Sequence, residues 1–72
     1  MKTRMWVVET DQYGATDRKF NVDEPSYIPR VGEFIDCDAA SGWVDHIQWN
    51  YPQPEPNPWM TVYVYLKRKK NV

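Results

Sequence analysis

The stretch GWVDHIQWNYPQPEPNPWMTVYVYL, from Gly42 to Leu66, predicts two β strands joined by a proline-rich connection. Its last part alternates between two kinds of side chain. One face of that strand would carry Met60, Val62, Val64 and Leu66, and the other would carry Trp59, Thr61, Tyr63 and Tyr65. Because aliphatic side chains are the usual content of a core, we expect the aromatic face to meet solvent, the proline segment or a partner.

The connection between the two strands has a proline at every second position: Pro52, Pro54, Pro56 and Pro58. Proline donates no backbone hydrogen bond and drives the preceding residue toward extended geometry, so this segment cannot be a central strand. We expect a stiff hairpin loop that lies against aromatic rings. The alternative, a docking peptide for an SH3 or WW domain, is disfavoured because a three-fold polyproline helix needs prolines at i and i+3. The sequence leaves open whether any of the X–Pro bonds is cis.

The strand before the prolines, Trp43–Asn50, does not alternate cleanly. Strict alternation would bury Asp45 on the face of Ile47. A bulge near Asp45 and His46 would instead turn Val44 and Ile47 inward and free the carboxylate. We predict the bulge, because an unpaired buried charge is the costlier arrangement.

The rest of the chain predicts three more strands, of which the first is rich in β-branched and aromatic residues and the third alternates between two faces. They are Arg4–Thr10, Arg18–Val22 and Glu33–Asp38. No useful helical periodicity is present. The pattern therefore predicts an all-β fold, a small five-stranded antiparallel SH3-like barrel with the proline-rich hairpin loop between its last two strands. Residues 1–66 would form this single domain, and residues 67–72 a basic C-terminal tail.

The composition narrows the class of protein. The 72 residues lie near the lower limit for an independent core, but they include four Trp, five Tyr and two Phe, and each large ring can bury ~150–250 Å². Cys37 is the single cysteine, which excludes a disulfide framework. The basic start of the chain has no apolar run of signal-peptide length, and nothing predicts a membrane span. We therefore expect a cytoplasmic protein that does not bind membranes.

The charge is unevenly distributed along the chain. Residues 1–66 hold five positive and ten negative side chains, a net charge of −5, although the whole chain has a net charge of −1. The other four positive charges are those of Lys67, Arg68, Lys69 and Lys70. An acidic body repels nucleic-acid phosphate. The four basic residues could assist binding to phosphate or to an acidic protein, or simply form a solvated end.

Catalytic and metal-binding chemistry have weak support in the sequence. His46 and Asp45 would need Ser26 or Ser41 for a Ser-His-Asp arrangement, and adjacent strand residues point to opposite faces unless a bulge intervenes. Cys37 is better placed as a small core residue than as a nucleophile. A divalent cation could be held by Asp36, Asp38 and Asp45, but solvated carboxylates are the simpler interpretation. We predict no enzyme activity, no metal and no cofactor.

Aromatic recognition is the stronger hypothesis. The predicted partner-binding residues are Trp43, Trp49, Trp59, Tyr63 and Tyr65, with Lys67, Arg68, Lys69 and Lys70 as an electrostatic adjunct. Such rings are typical hot-spot residues for a protein partner or a homodimer. They could instead stack on a nucleotide signal or single-stranded nucleic acid, at ~1–3 kcal/mol per base. A third alternative is that they only cover the second face of a thin barrel.

The segments YIPRVGEFIDC, GWVDHIQW and MTVYVYL, between Tyr27 and Leu66, resemble a pattern in short phage and prophage proteins. In that pattern a Pro-Arg-x-Gly-Glu junction opens a strand, followed by a Gly-led strand and a closing Val/Ile-rich strand, in an SH3-like barrel. The four-proline connection departs from it. The resemblance implies a small inhibitor or counter-defence protein that binds a host protein or sequesters a nucleotide signal.

Overall fold

The computed structural model describes residues 2–52 and 59–68, which form one curled, five-stranded β sheet. The strands are β1 (Thr3–Asp11), β2 (Gly14–Asp23), β3 (Phe34–Ile35), β4 (Gly42–Asn50) and β5 (Met60–Lys67). Neither described range contains a helix, which confirms the predicted all-β class. In the same ranges, no helix has the length and apolar character needed to cross a bilayer.

The strand boundaries differ from the predicted ones mainly in β2 and β3. β2 begins at Gly14, because a tight turn after Asp11 lets pairing with β1 start at once. β3 keeps only two of the six predicted residues. Lys67 is the last residue of β5, one position beyond the predicted end of the domain.

The sheet is mixed, and the prediction of a wholly antiparallel sheet was wrong. The strand order is β2-β1-β5-β4-β3. Within the described residues β1–β2, β4–β5 and β3–β4 are antiparallel, whereas β1–β5 is parallel. The cause is the direction of the chain. Strand direction reverses at each connection, so the first and fifth strands run the same way, and placing them side by side makes that pair parallel.

The sheet curls into half a barrel whose edges are β2 and β3. These two strands follow each other in the chain, yet they lie at opposite edges, so residues 24–33 must cross between them. The crossing segment covers the core face, where Ile28 packs on the buried cluster and Pro29 is buried. The Gly32 N–H donates to the Val44 carbonyl, and the Val44 N–H donates to the Glu33 carbonyl. These two backbone hydrogen bonds join the end of the crossing segment to β4.

The core lies on the aliphatic side of β5, as predicted. Val62, Val64 and Leu66 have no exposed surface, and Met60 at the start of the strand is half-buried. The other buried members of the cluster are Met5, Val7, Ala40 and Val44. Full burial of one such aliphatic side chain contributes ~1.5–3 kcal/mol, so these few residues supply most of the hydrophobic stabilisation.

A β bulge lies at Asp45, where the sequence predicted it. Val44 is opposite Leu66 and His46 is opposite Tyr65, so Asp45 is the extra residue. Val44 is buried, and Ile47 packs against the core. The Asp45 side chain is 24% exposed. The bulge therefore keeps two apolar residues inward on either side of a charged one.

Glu9 is a buried carboxylate that the sequence did not reveal. Its side chain is 2% exposed, and each oxygen accepts an arginine Nε–H, Oε2 from Arg18 and Oε1 from Arg68, both at 2.8 Å. The backbone N–H of Ser41 also donates to Oε2 at 3.1 Å. Glu9 lies at a register shift, opposite the part of β2 that contains Arg18. These bonds tie β1, β2, the end of β5 and the start of β4 together, and we call the set the Glu9 cluster.

Hydrogen bonding from Arg18 is the main reason that the pKa of Glu9 falls to about 2 from its ordinary 4.5; Arg68 and Ser41 add to the effect, and burial opposes it. When folding lowers the pKa of a carboxyl group, the group stabilises the protein at pH values above its pKa in the unfolded chain. This contribution is lost as the pH falls toward the pKa of the group in the folded protein. We expect Glu9 to contribute about 3 kcal/mol at pH 7, lost between about pH 5 and 2.

Urea unfolding at several pH values tests this expectation with Glu9→Gln. The variant should lose stability at pH 7 and show a flatter dependence of the free energy of unfolding between pH 5 and 2. A variant with the slope of the unchanged protein would mean that other carboxylates govern acid unfolding.

Gly42 occupies a position that no other residue fits. Its φ is +145°, and a Cβ built there would clash with the backbone carbonyl oxygen of Lys67. Gly32 also has a positive φ, of +95°, but nothing lies within 4 Å of the position that a Cβ would occupy.

Gly42→Ala should therefore lower the free energy of unfolding more than Gly32→Ala, which introduces only backbone strain of about 1–3 kcal/mol. Urea denaturation of both variants measures the difference, and equal losses would contradict the close approach of β4 and β5.

Candidate functional site

The aromatic side of β5 faces outward, as the sequence predicted. Tyr63 and Tyr65 are half-buried, on the face opposite the fully buried Val62 and Val64. Their ring centroids are 6.2 Å apart, and the ring planes differ by 19°. Because the aliphatic side chains already fill the core face, the two tyrosines form a layer on the outside of the sheet.

His46 extends this layer onto β4. Its ring stacks on Tyr65, with centroids 4.5 Å apart and planes 17° apart. The bulge also lets His46 Nδ1 contact its neighbour Asp45, 2.8 Å from Oδ2. Lys67 Nζ lies 2.9 Å from the other carboxylate oxygen. Lys67 first, and then His46, hold the pKa of Asp45 below its ordinary value, so this side of the layer has an ionised, paired carboxylate.

Trp6, which is not among the residues predicted from the sequence, completes the layer on the β1 side. It is the register partner of Tyr63 in the parallel β1–β5 pair. Lys19 of β2 places its ammonium 5.8 Å from the Trp6 ring centroid, a cation–π arrangement. The alternation in RMWVVET, where Met5 and Val7 flank Trp6, could have indicated its outward side. We call Trp6, His46, Tyr63 and Tyr65 the aromatic ladder.

A shallow groove follows the ladder between β5 and β2. Its volume is about 370 Å³. The lining residues are Trp6, Val8, Ala15, Thr16, Lys19, Tyr63 and Tyr65. Val8 is buried, with 7% of its surface exposed, beneath more exposed neighbours. The groove therefore offers an apolar floor, aromatic walls and one cation.

None of the three predicted tryptophans belongs to the ladder, although Trp43 shares its face as the register partner of Lys67. Trp43 packs edge-on against Phe34, with centroids 4.8 Å apart. Trp49 is the register partner of Val62, which puts it on the face away from Tyr63. The extra residue at the bulge, Asp45, shifts the alternation of β4, so that Trp43 and Trp49 point to opposite faces of the sheet. Trp59 precedes β5, with Lys2 Nζ and Arg4 Cζ at 5.3 and 4.5 Å from its ring centroid.

The basic residues predicted to assist binding, 67–70, do not lie together as one group in the described structure. Lys67 pairs with Asp45 at the edge of the ladder, and Arg68 pairs with the buried Glu9. Lys69 and Lys70 lie outside the described residues, as do the three prolines Pro54, Pro56 and Pro58. Of the two basic residues of this group that the structure describes, Lys67 lies beside the ladder.

The residues considered for catalysis and metal binding are only partly brought together in the described structure. Asp45 and His46 are in contact, but Ser41 lies five residues before His46, roughly 16 Å away along an extended strand at ~3.3 Å per residue. Ser41 donates its backbone N–H to Glu9 instead. Across residues 2–52 and 59–68, no three His, Cys, Asp or Glu residues come together to hold a metal ion. Cys37 is half-buried rather than part of the core cluster.

The ladder should contribute less to stability than the core beneath it. We expect Val64→Ala to lower the free energy of unfolding by about 2 kcal/mol, since it leaves a cavity under β5. Tyr63→Ala should cost about 1 kcal/mol, because the ring packs on one side only. Urea denaturation of the two variants gives the comparison. A larger loss for Tyr63→Ala would make the ring part of the core.

Comparison with known proteins returns no match to this chain, whether to a family model, a curated protein or a solved structure. Two features characterise the site: an outward row of rings that the core does not need, and a cation beside that row.

Proposed function

We propose that this chain is a non-enzymatic binding protein that engages a protein partner through the aromatic ladder. One observation carries the proposal. The core is filled from the aliphatic side of the sheet by residues with no exposed surface, such as Val62 and Val64, while a contiguous row of rings remains on the other side. Rings that the core does not require are available for recognition.

The arrangement of the ladder suits a protein surface. Tyrosine and tryptophan are the residue types most enriched among binding hot spots. The stacked contacts of Tyr65 with His46 and Tyr63 already restrict the rings, so little side-chain entropy remains to be lost on binding. The groove beside them can accept an apolar side chain of the partner.

The charges beside the ladder indicate the partner's chemistry. Lys19 lies over Trp6 as a cation, whereas Lys67 is paired with Asp45. A complementary surface would therefore have an apolar centre and a carboxylate that faces Lys19. A second copy of this chain counts as such a partner, because the acidic body of one copy can meet Lys19 of another.

The biological setting is part of the proposal. We propose that the half-barrel is SH3-like and that the protein acts in the cytoplasm as a phage-type inhibitor or counter-defence protein. The support is the Pro-Arg-x-Gly-Glu junction, which forms a compact turn. The Glu33 carboxylate accepts the single O–H of Tyr27, whose Oη lies 2.7 and 2.8 Å from the two carboxylate oxygens, and it also accepts the Arg30 N–H. The Glu33 N–H in turn donates to the Arg30 carbonyl.

The double variant Tyr63→Ala with Tyr65→Ala tests the proposed function. We expect it to stay folded and to lose association, because both central rings are removed. Light scattering over a range of protein concentrations measures self-association, and affinity capture with the immobilised protein measures binding to a different partner.

Trp49→Ala is the matched control, since it removes an exposed ring from the opposite face and should leave association unchanged. The proposal fails if Trp49→Ala abolishes association while the double variant retains it. It also fails if the double variant unfolds, since the rings would then belong to the core.

A further inference from the structure

We propose that the Glu9 cluster forms a second binding site, for a phosphate monoester attached to a planar group, of which a nucleoside monophosphate is the simplest example. The site is a cavity of about 400 Å³ at the end of the sheet where β1 and β5 finish. It is lined by Glu9, Arg18 and Arg68 together with Phe34 and Trp43, beside Ser41 and Gly42. It shares no lining residue with the groove of the aromatic ladder.

The two arginines are the anion-binding part of this site. Each contacts Glu9 through its Nε, and Arg18 Nη2 also donates to the Asp38 carbonyl at 3.0 Å. A guanidinium has five N–H donors, so in the described structure most of these donors are left for a ligand. The Arg18 and Arg68 side chains are 46% and 71% exposed, and a ligand can therefore reach both.

The site has one more guanidinium than the Glu9 carboxylate needs. Arg18 and Arg68 both pair with Glu9, and the pKa of Arg68 is raised by Glu9 first and also by Asp11. One arginine in a bidentate pair would neutralise a buried glutamate. The second arginine is thus more than neutralisation of Glu9 requires, and a phosphate group can accept hydrogen bonds from both guanidiniums.

Glu9 acts as a positioning residue for the two guanidiniums. It binds one arginine on each carboxylate oxygen, so it holds the pair side by side at the cavity. Its lowered pKa keeps it ionised. A ligand phosphate would therefore meet donors that are already oriented, which reduces the entropy lost on binding.

The planar part of the ligand is suggested by Phe34 and Trp43. The two rings meet edge to face, 65° apart in plane angle, and Phe34 is 53% exposed. A flat ring system can stack on such an exposed aromatic pair. The cavity volume also falls within the range of about 300–1,000 Å³ that small-molecule sites occupy.

Nuclear magnetic resonance titration of the full chain with AMP, inorganic phosphate and adenosine tests the site. We expect AMP to shift the Nε–H signals of Arg18 and Arg68 and the indole N–H of Trp43, with at least tenfold tighter binding than phosphate or adenosine. Saturable binding of AMP that moves the signals of Trp6 and Tyr65 instead would overturn the site. So would the absence of any shift at 10 mM AMP.

Substitutions distinguish AMP binding at this site from a general loss of structure and from binding at the aromatic ladder. Arg68→Gln should weaken AMP binding at least tenfold, and Arg4→Gln, which alters an arginine paired with Asp23, should not. Trp43→Leu should reduce AMP affinity to that of phosphate. The Tyr63→Ala, Tyr65→Ala double variant should bind AMP like the unchanged protein, because the ladder is separate. If Arg68→Gln does not fold, the titration of the unchanged protein still decides the proposal.

Discussion

The central position of β5 is the constraint on which the rest of the structure depends. β5 pairs with β1 on one side and β4 on the other, so both rows of its backbone groups are satisfied inside the sheet. Its side chains then have only two directions available, toward the core or away from it. Because Val62, Val64 and Leu66 occupy the core direction, Tyr63 and Tyr65 are held outside, and their partners on β1 and β4 are fixed by register.

One irregularity and one regular feature of this sheet place its main charged groups. At the bulge in β4, Asp45 turns toward His46 and Lys67 at the edge of the ladder. Glu9, by contrast, follows the regular alternation of β1 and is the register partner of the buried Leu66 in the unbroken β1–β5 pair. The first polar cluster therefore depends on a departure from pleated geometry, and the second depends on a charged residue at a core-facing position.

The two proposed binding regions use the same kinds of residue in different ways. In the ladder the rings are central and the cation lies at the side, which suits a broad, mainly apolar contact. At the Glu9 cluster the cations converge on one cavity and the Phe34–Trp43 pair borders it, which suits a small anion with a flat group. The difference follows from where the arginines are held, because the buried Glu9 fixes two of them at one end of the sheet.

The sequence by itself determined the faces of β5, the outward tyrosines and the bulge at Asp45, because alternation and the cost of burying a charge are local properties. It did not determine which strands are neighbours. The parallel β1–β5 pair, the place of Trp6 beside Tyr63 and the position of Trp49 on the other face all depend on strand order and register. The Glu9 cluster was equally hidden, since Arg18, Ser41 and Arg68 lie 9, 32 and 59 residues from Glu9 in the chain. Only the folded sheet brings residues so far apart into hydrogen-bonding distance.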